Sequence, residues 1–188
     1  MKKIVLLSIA LAGMNTINAQ QLDTTKTQQL SEVIVNAIRA KSDAPFAVAN
    51  ISRNELATFS KTGQELPFLF SHTPGVLAWG ENGTGTGPVY MRLRGAAGSR
   101  INVTIDGIPL NSPEDETVFW VNMNSYGSLL QSAQIQRGVG TSTNGDGAFG
   151  GSVSLNTIHP SYHPYMELTG SYGSFNTYNL GTNFSTGL

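Results

Sequence analysis

From Val89 to Thr157 the chain keeps returning to one pattern: apolar and polar residues alternate for five or six positions, then a turn follows. Val89, Met91 and Leu93 fall on one side of the first run, Tyr90, Arg92 and Arg94 on the other, and Gly95 ends it. Ile101, Val103 and Ile105 then alternate with Asn102, Thr104 and Asp106, and Asp106-Gly107 is a tight-turn pair. Residues 133–137 and 152–157 read as two more strands. Period two puts successive side chains on opposite faces, so each run predicts a half-buried strand. Runs this short cannot build a helical bundle. Composition agrees: 21 of 188 residues are glycine, and charged residues make up only 12%, about half the usual share.

Helix signals are few and local. Ser52 with Glu55 and Thr62 with Glu65 each fit a capping box. Leu66, Leu69 and Phe70 share one helical face, Pro67 lies near that helix's start, and Thr73-Pro74-Gly75 stops it. Residues 80–88 (GENGTGTGP) form a loop, and residues 125–132 predict a further short helix. The resulting order is a small α+β domain with a mixed sheet and short helices, spanning about residues 50–157. Beyond it, residues 165–172 and 177–185 alternate again around Gly173-Ser174, as two amphipathic strands of a hairpin.

The N-terminus reads as an address. Met1-Lys2-Lys3 precedes an apolar run over residues 4–12, and the small residue Ala19 follows. This is the layout of a secretory signal peptide, with cleavage expected after Ala19. The run is too short to cross a bilayer as a helix, which takes about 20 residues. There is no cysteine, which excludes disulfides, thiolate zinc sites and cysteine nucleophiles. A net charge of −1 offers no basic face for nucleic acid. No Ser-His-Asp set or carboxylate pair emerges from spacing, so no catalytic residues and no enzyme activity are expected. Gly145, Gly147 and Gly150 fit G-x-G-x-x-G literally, but a strand rather than a helix follows, so no dinucleotide site is expected. His159 and His163 sit beside Pro160 and Pro164 in a predicted linker, and no metal or cofactor is expected.

Five short motifs, taken in order, carry a resemblance. They are Thr73-Pro74-Gly75-Val76, Met91-Arg92-Leu93-Arg94-Gly95, Ile105-Asp106-Gly107-Ile108-Pro109-Leu110, Ile135-Gln136-Arg137-Gly138 and Gly147-Ala148-Phe149-Gly150-Gly151. Their order and spacing resemble the plug domain of TonB-dependent outer-membrane receptors, of Bacteroidetes type. The stretch Leu30, Ser31, Glu32, Val33, Ile34, Val35, Asn36 and Ala37 resembles the family's TonB box. The resemblance implies a layout of signal peptide at 1–19, flexible leader with TonB box at 20–40, plug at 41–158, and linker with the first barrel hairpin at 159–188. About 22 strands close the barrel of such transporters. The two here therefore imply a fragment or truncated chain.

The resemblance also implies roles. Residues 30–37 would add a strand to the periplasmic domain of TonB, whose energy comes from the inner-membrane proton gradient. Arg94 and Arg137 match the family's two R-G motifs and would lock the plug to its own barrel domain, absent here. By position, the outward loops would present Trp79, Glu81, Arg100, Asn111, Glu114, Asp115 and Phe119 to a small-molecule or metal-chelate ligand. The implied function is gated import of a scarce solute across the outer membrane, with a ferric siderophore, haem or cobalamin favoured. The alternative is a stand-alone secreted or periplasmic binding module.

Overall fold

The computed structural model describes residues 39–40, 45, 47–124, 126–139 and 148–188. The expected signal peptide, the TonB-box stretch 30–37 and the glycine turn at 145–147 lie outside the described residues. Among the described residues the architecture is the expected α+β arrangement: a five-stranded mixed sheet, two short α-helices, and two separate two-stranded ribbons.

Strand β1 (Ala47–Ile51) leads into α1 (Arg53–Ser60). The Ser52–Glu55 capping box forms as expected: the Glu55 carboxylate accepts the Ser52 N–H at 2.8 Å and its hydroxyl at 2.6 Å. Those bonds hold the Glu55 carboxyl below its ordinary value. The second expected box does not form. Thr62 donates its hydroxyl to Phe59 O at 2.8 Å, leaving it tied to the end of α1. Glu65 itself becomes the N-cap of α2 (Leu66–Phe70), makes no side-chain cap bond and is buried. Pro67 sits in the first turn of α2, where a missing N–H costs nothing.

Strands β2 (Val76–Gly80) and β3 (Val89–Leu93) pair antiparallel, from Val76 opposite Leu93 to Gly80 opposite Val89. The alternation of β3 is clean: Val89, Met91 and Leu93 are buried, Tyr90 and Arg92 exposed. β4 (Ile101–Ile105) and the two-residue β5 (Ile108–Pro109) flank the Asp106-Gly107 turn. Both turn residues have positive φ, 48° and 84°, as a two-residue hairpin turn requires. Asp106 also binds Thr157, accepting its N–H at 3.0 Å and its hydroxyl at 2.6 Å. The predicted helix over 125–132 is only a 3₁₀ turn (Tyr126–Leu129). At Leu130 the chain turns extended to begin β6 (Leu130–Arg137), because Leu130 and Ala133 are needed in the core. β7 (Gly151–Thr157) follows, then β8 (Tyr165–Tyr172) and β9 (Tyr178–Ser185), which pair antiparallel as a hairpin.

The large sheet has the order β1-β6-β7-β4-β5, with β4 and β7 parallel and the other neighbours antiparallel. On one face Ala133, Ile135, Val153, Leu155, Ile101 and Val103 join Leu56, Phe70 and Trp120 in the core. Phe70 and Trp120 meet edge to face at 5.8 Å. The other face is polar yet also buried, at Thr104, Gln134, Gln136, Ser152 and Ser154. Arg39 and Ala40 lie across it. The Arg39 guanidinium donates to Ser132 Oγ (2.9 Å), Ser132 O (3.2 Å), Ser154 O (3.0 Å) and Ser154 Oγ (3.3 Å). Gln134 accepts the Ala40 N–H at 2.9 Å and returns a bond to Ala40 O at 3.0 Å.

Candidate ligand cleft

The β2–β3 ribbon turns Val76, Ala78 and Met91 toward the core side and Leu77, Trp79, Tyr90 and Arg92 away from it, as period two demands. Trp79 and Tyr90 face each other across the ribbon and stack, with centroids 5.7 Å apart and planes 26° apart. The Arg92 guanidinium lies 5.7 Å from the Trp79 ring. Tyr90 donates its hydroxyl to Glu81 at 2.9 Å, and that bond, with the Glu81 charge, pushes the Tyr90 phenol up.

This aromatic and cationic ladder forms one wall of a cleft of about 630 Å³. Asp115 and residues 117–121 supply another wall, and Gly98, Ser99, Ile101 and Val103 complete the lining. Most of the lining is apolar, and a few polar groups converge on it, which is the usual make-up of a small-molecule site. Asp115 accepts the Thr117 N–H at 3.0 Å and hydroxyl at 2.8 Å. Those bonds hold its carboxyl below the usual range, so it is ionised at neutral pH. The cleft therefore carries a guanidinium on one wall and a carboxylate on the other.

Of the residues expected to face a ligand, Trp79, Asp115 and Phe119 line this cleft. Glu81 stands just outside it, bonded to the lining residue Tyr90. Arg100 ends the 3₁₀ turn whose first two residues line the cleft. Glu114 is exposed on the loop but does not line the cleft. Asn111 points inward: it braces the chain and its amide is taken up by backbone. Sequence reasoning missed Tyr90 and Arg92 as lining residues, while Thr117 fell within an expected outward loop and Trp120 at its border. The signal for the first two was present, since a hairpin around the 80–88 loop sets Trp79 opposite Tyr90.

Arg94 and Arg137 come together at the other end of the ribbon. Arg137 donates to Pro74 O at 3.1 Å and Ala47 O at 3.4 Å. Arg94, with φ of 51°, donates its N–H to Gly75 O at 2.7 Å. Its Nη1 lies 3.0 Å from where a Cβ on Gly138 would stand, so the glycine leaves room for the guanidinium. Both arginines thus flank the Pro74-Gly75 turn, one exposed and one half-buried. Among the described residues, no group of three or more His, Asp or Glu side chains is placed to hold a metal ion.

Comparison with known proteins follows the same lines. The sequence model of one family, the TonB-dependent receptor plug domain, matches residues 40–152. No curated protein matches the chain. The siderophore receptor PiuA from Acinetobacter baumannii superposes with a TM-score of 0.54 at 18% identity, over 76% of this chain and 18% of that one. The ferric yersiniabactin uptake receptor FyuA from Yersinia pestis superposes at 0.51 with 20% identity, over 74% of this chain and 21% of that one. The FpvAI–pyocin S2 complex superposes at 0.57 with 17% identity, over 76% and 18%. The chain therefore spans about a fifth of the length of the solved receptors it matches, and the likeness is one of fold.

Proposed function

The chain belongs to the TonB-dependent receptor plug domain family, and from that premise we propose that it is the plug region of an outer-membrane receptor importing a scarce solute. The solute class favoured is a ferric siderophore, haem or cobalamin. The observation that carries this reading is the cleft. Stacked Trp79 and Tyr90, Arg92 and Asp115 suit a solute with flat apolar parts and dispersed charge. Two of the superposed structures are named for siderophores, which supports the same class.

Four further assignments belong to this reading. Residues 1–19 are the export signal, and residues 30–37 are the TonB box, pairing as an added strand with the periplasmic domain of TonB. Arg94 and Arg137, gathered at the Pro74-Gly75 turn, face glutamates of the barrel and lock the plug until it is pulled; a charge enclosed by the barrel needs such a partner. Residues 165–185 are the first barrel strands. One face of that hairpin carries Met166, Leu168, Tyr172, Tyr178, Leu180 and Phe184, all exposed, and the other Glu167, Thr169, Asn179 and Asn183. Such a two-faced ribbon suits lipid outside and a polar lumen inside. Gating is then an order–disorder change of the plug driven by TonB.

Deleting the gene tests the reading. Growth on at least one limiting ferric chelate, haem or cobalamin is expected to fail and to return with the intact gene. A strain indifferent to all three, or TonB pulldown unaffected by Val33→Pro with Val35→Pro, would overturn the import reading or the TonB-box assignment respectively.

A further inference from the structure

We infer that Asn111 is a positioning residue for the cleft: its side-chain amide holds the loop of residues 112–117 that leads into the cleft wall, and it leaves no N–H donor for the solute itself. β5 is only two residues long and pairs with Thr104 and Ile105 alone. Beyond it Leu110 donates its N–H to Val103 O at 2.9 Å, and there the backbone ladder ends. Asn111 continues it with its side chain. Its Oδ1 accepts the Val103 N–H at 2.8 Å, and its Nδ2 donates to Ile101 O at 2.9 Å. The amide thereby imitates one more peptide unit of a strand beside β4.

The second Nδ2 hydrogen goes to Glu116 O at 2.7 Å. Glu116 has φ of 58°, a conformation that a non-glycine residue keeps only where its surroundings impose it. Two backbone bonds close the same loop: Ser112 N–H to Thr117 O and Glu116 N–H to Ser112 O, each 2.8 Å. Ile101 and Val103 of β4 are among the lining residues, while Thr117 and Phe119 belong to the wall. One side chain therefore ties that wall's loop to β4. An amide has two N–H donors, and both are used. Aspartate keeps the bond from Val103 but offers no donor when ionised, and it sets a negative charge against two carbonyl oxygens.

The inference rests on the ligand-binding reading of the cleft only for its purpose, and the test separates the two. Backbone amide exchange is measured on the full 188-residue chain as wild type, Asn111→Asp and Asn111→Leu, at pH 7 and pH 4, with acrylamide quenching alongside. The chain's two tryptophans, Trp79 and Trp120, both line the cleft, so quenching reads its openness. At pH 7 Asn111→Asp is expected to keep Val103 protected while Ser112 and Glu116 lose protection by about tenfold or more, the worth of one net hydrogen bond. At pH 4 the protonated aspartate regains one donor, and loop protection returns toward wild type. Asn111→Leu loses both effects at both pH values, and tryptophan quenching rises in both variants at pH 7.

Unchanged loop exchange and quenching would overturn the inference. So would an equal loss of protection at Ile135 and Val153, since that is general destabilisation without pH rescue. A deletion strain indifferent to every solute would remove the receptor reading and leave a selective loosening of the wall standing.

Discussion

Replacing Arg39 by alanine removes the strap across the polar face of the sheet. The guanidinium makes four hydrogen bonds, two to Ser132 and two to Ser154. A hydrogen bond involving a charged group is worth about 1.5–3 kcal/mol net. The full sum does not apply here. Arg39 is only half-buried, and water can satisfy both serine hydroxyls once it leaves. Burial also lowers the guanidinium pKa, and Asp106 opposes that only in part, so holding the charge there has a cost. About 2 kcal/mol remains, or roughly thirtyfold in an equilibrium constant. The loss should be local. Amide exchange is expected to show Ala40, whose N–H binds Gln134, losing roughly thirtyfold protection while Val153 in the core keeps its own. Arg39→Lys should recover less than half, because an ammonium cannot span four acceptors held by a planar fork. An unchanged Ala40 amide, or full recovery by lysine, would refute the reasoning.

Gly151 has φ of 145°, and a Cβ there would overlap Gln136 O and the Leu93 side chain. Gly151→Ala should therefore destabilise by about 3 kcal/mol or more, read as a lowered urea midpoint; a change below about 1 kcal/mol would contradict the packing. Burial raises the Glu65 carboxyl above its ordinary 4.5, against a smaller opposing pull from the Gly87 amide. The folded state then holds its proton to higher pH than the unfolded chain, so stability falls as pH rises from about 4.5 through the folded value. Glu65→Gln should flatten that part of the stability profile, and an unaltered slope would exclude Glu65 as its source. Trp79→Ala removes both the Tyr90 stack and the Arg92 contact. In the complete receptor it should weaken solute binding about tenfold or more while leaving membrane levels unchanged, measured by titration on outer membranes.

What the sequence disclosed follows from which forces act locally. β3, β4, β6 and β7 were legible because alternation records which side faces the core. The Ser52 cap was legible because its partners are three residues apart. β2 was not: Val76–Gly80 alternates only between half-buried and exposed positions, all but its last residue apolar, and its pairing with β3 makes it a strand. The Thr62 box failed because Glu65 gives its N–H to Gly85 O, while the Thr62 hydroxyl accepts from Gln64 and donates to Phe59 O. The cleft was half legible. Trp79, Asp115 and Phe119 could be placed by loop position, but Asn111 could not be told apart from them. Its role depends on β5 stopping after two residues, and nothing local announces that.

The two faces of the sheet differ in what holds them. Ile135, Val153, Leu155 and Val103 are sealed by burial, which water cannot replace. Gln134 and Ser154 are held by hydrogen bonds, whose net worth is small because water offers similar ones. Such a face fixes register and orientation firmly yet yields readily once one attachment is lost. Arg39 and Ala40 are attached only to this second face in the contacts described. Residue 39 also lies two positions after the proposed TonB box. Under the proposed function, a pull on residues 30–37 therefore loads the replaceable bonds of β6 and β7 before it strains the apolar core. The cleft is built on the far side of the same sheet, on Ile101 and Val103 of β4, and Asn111 ties its wall there. On that proposal, such a plug releases its leader without first dismantling the surface that would hold the solute.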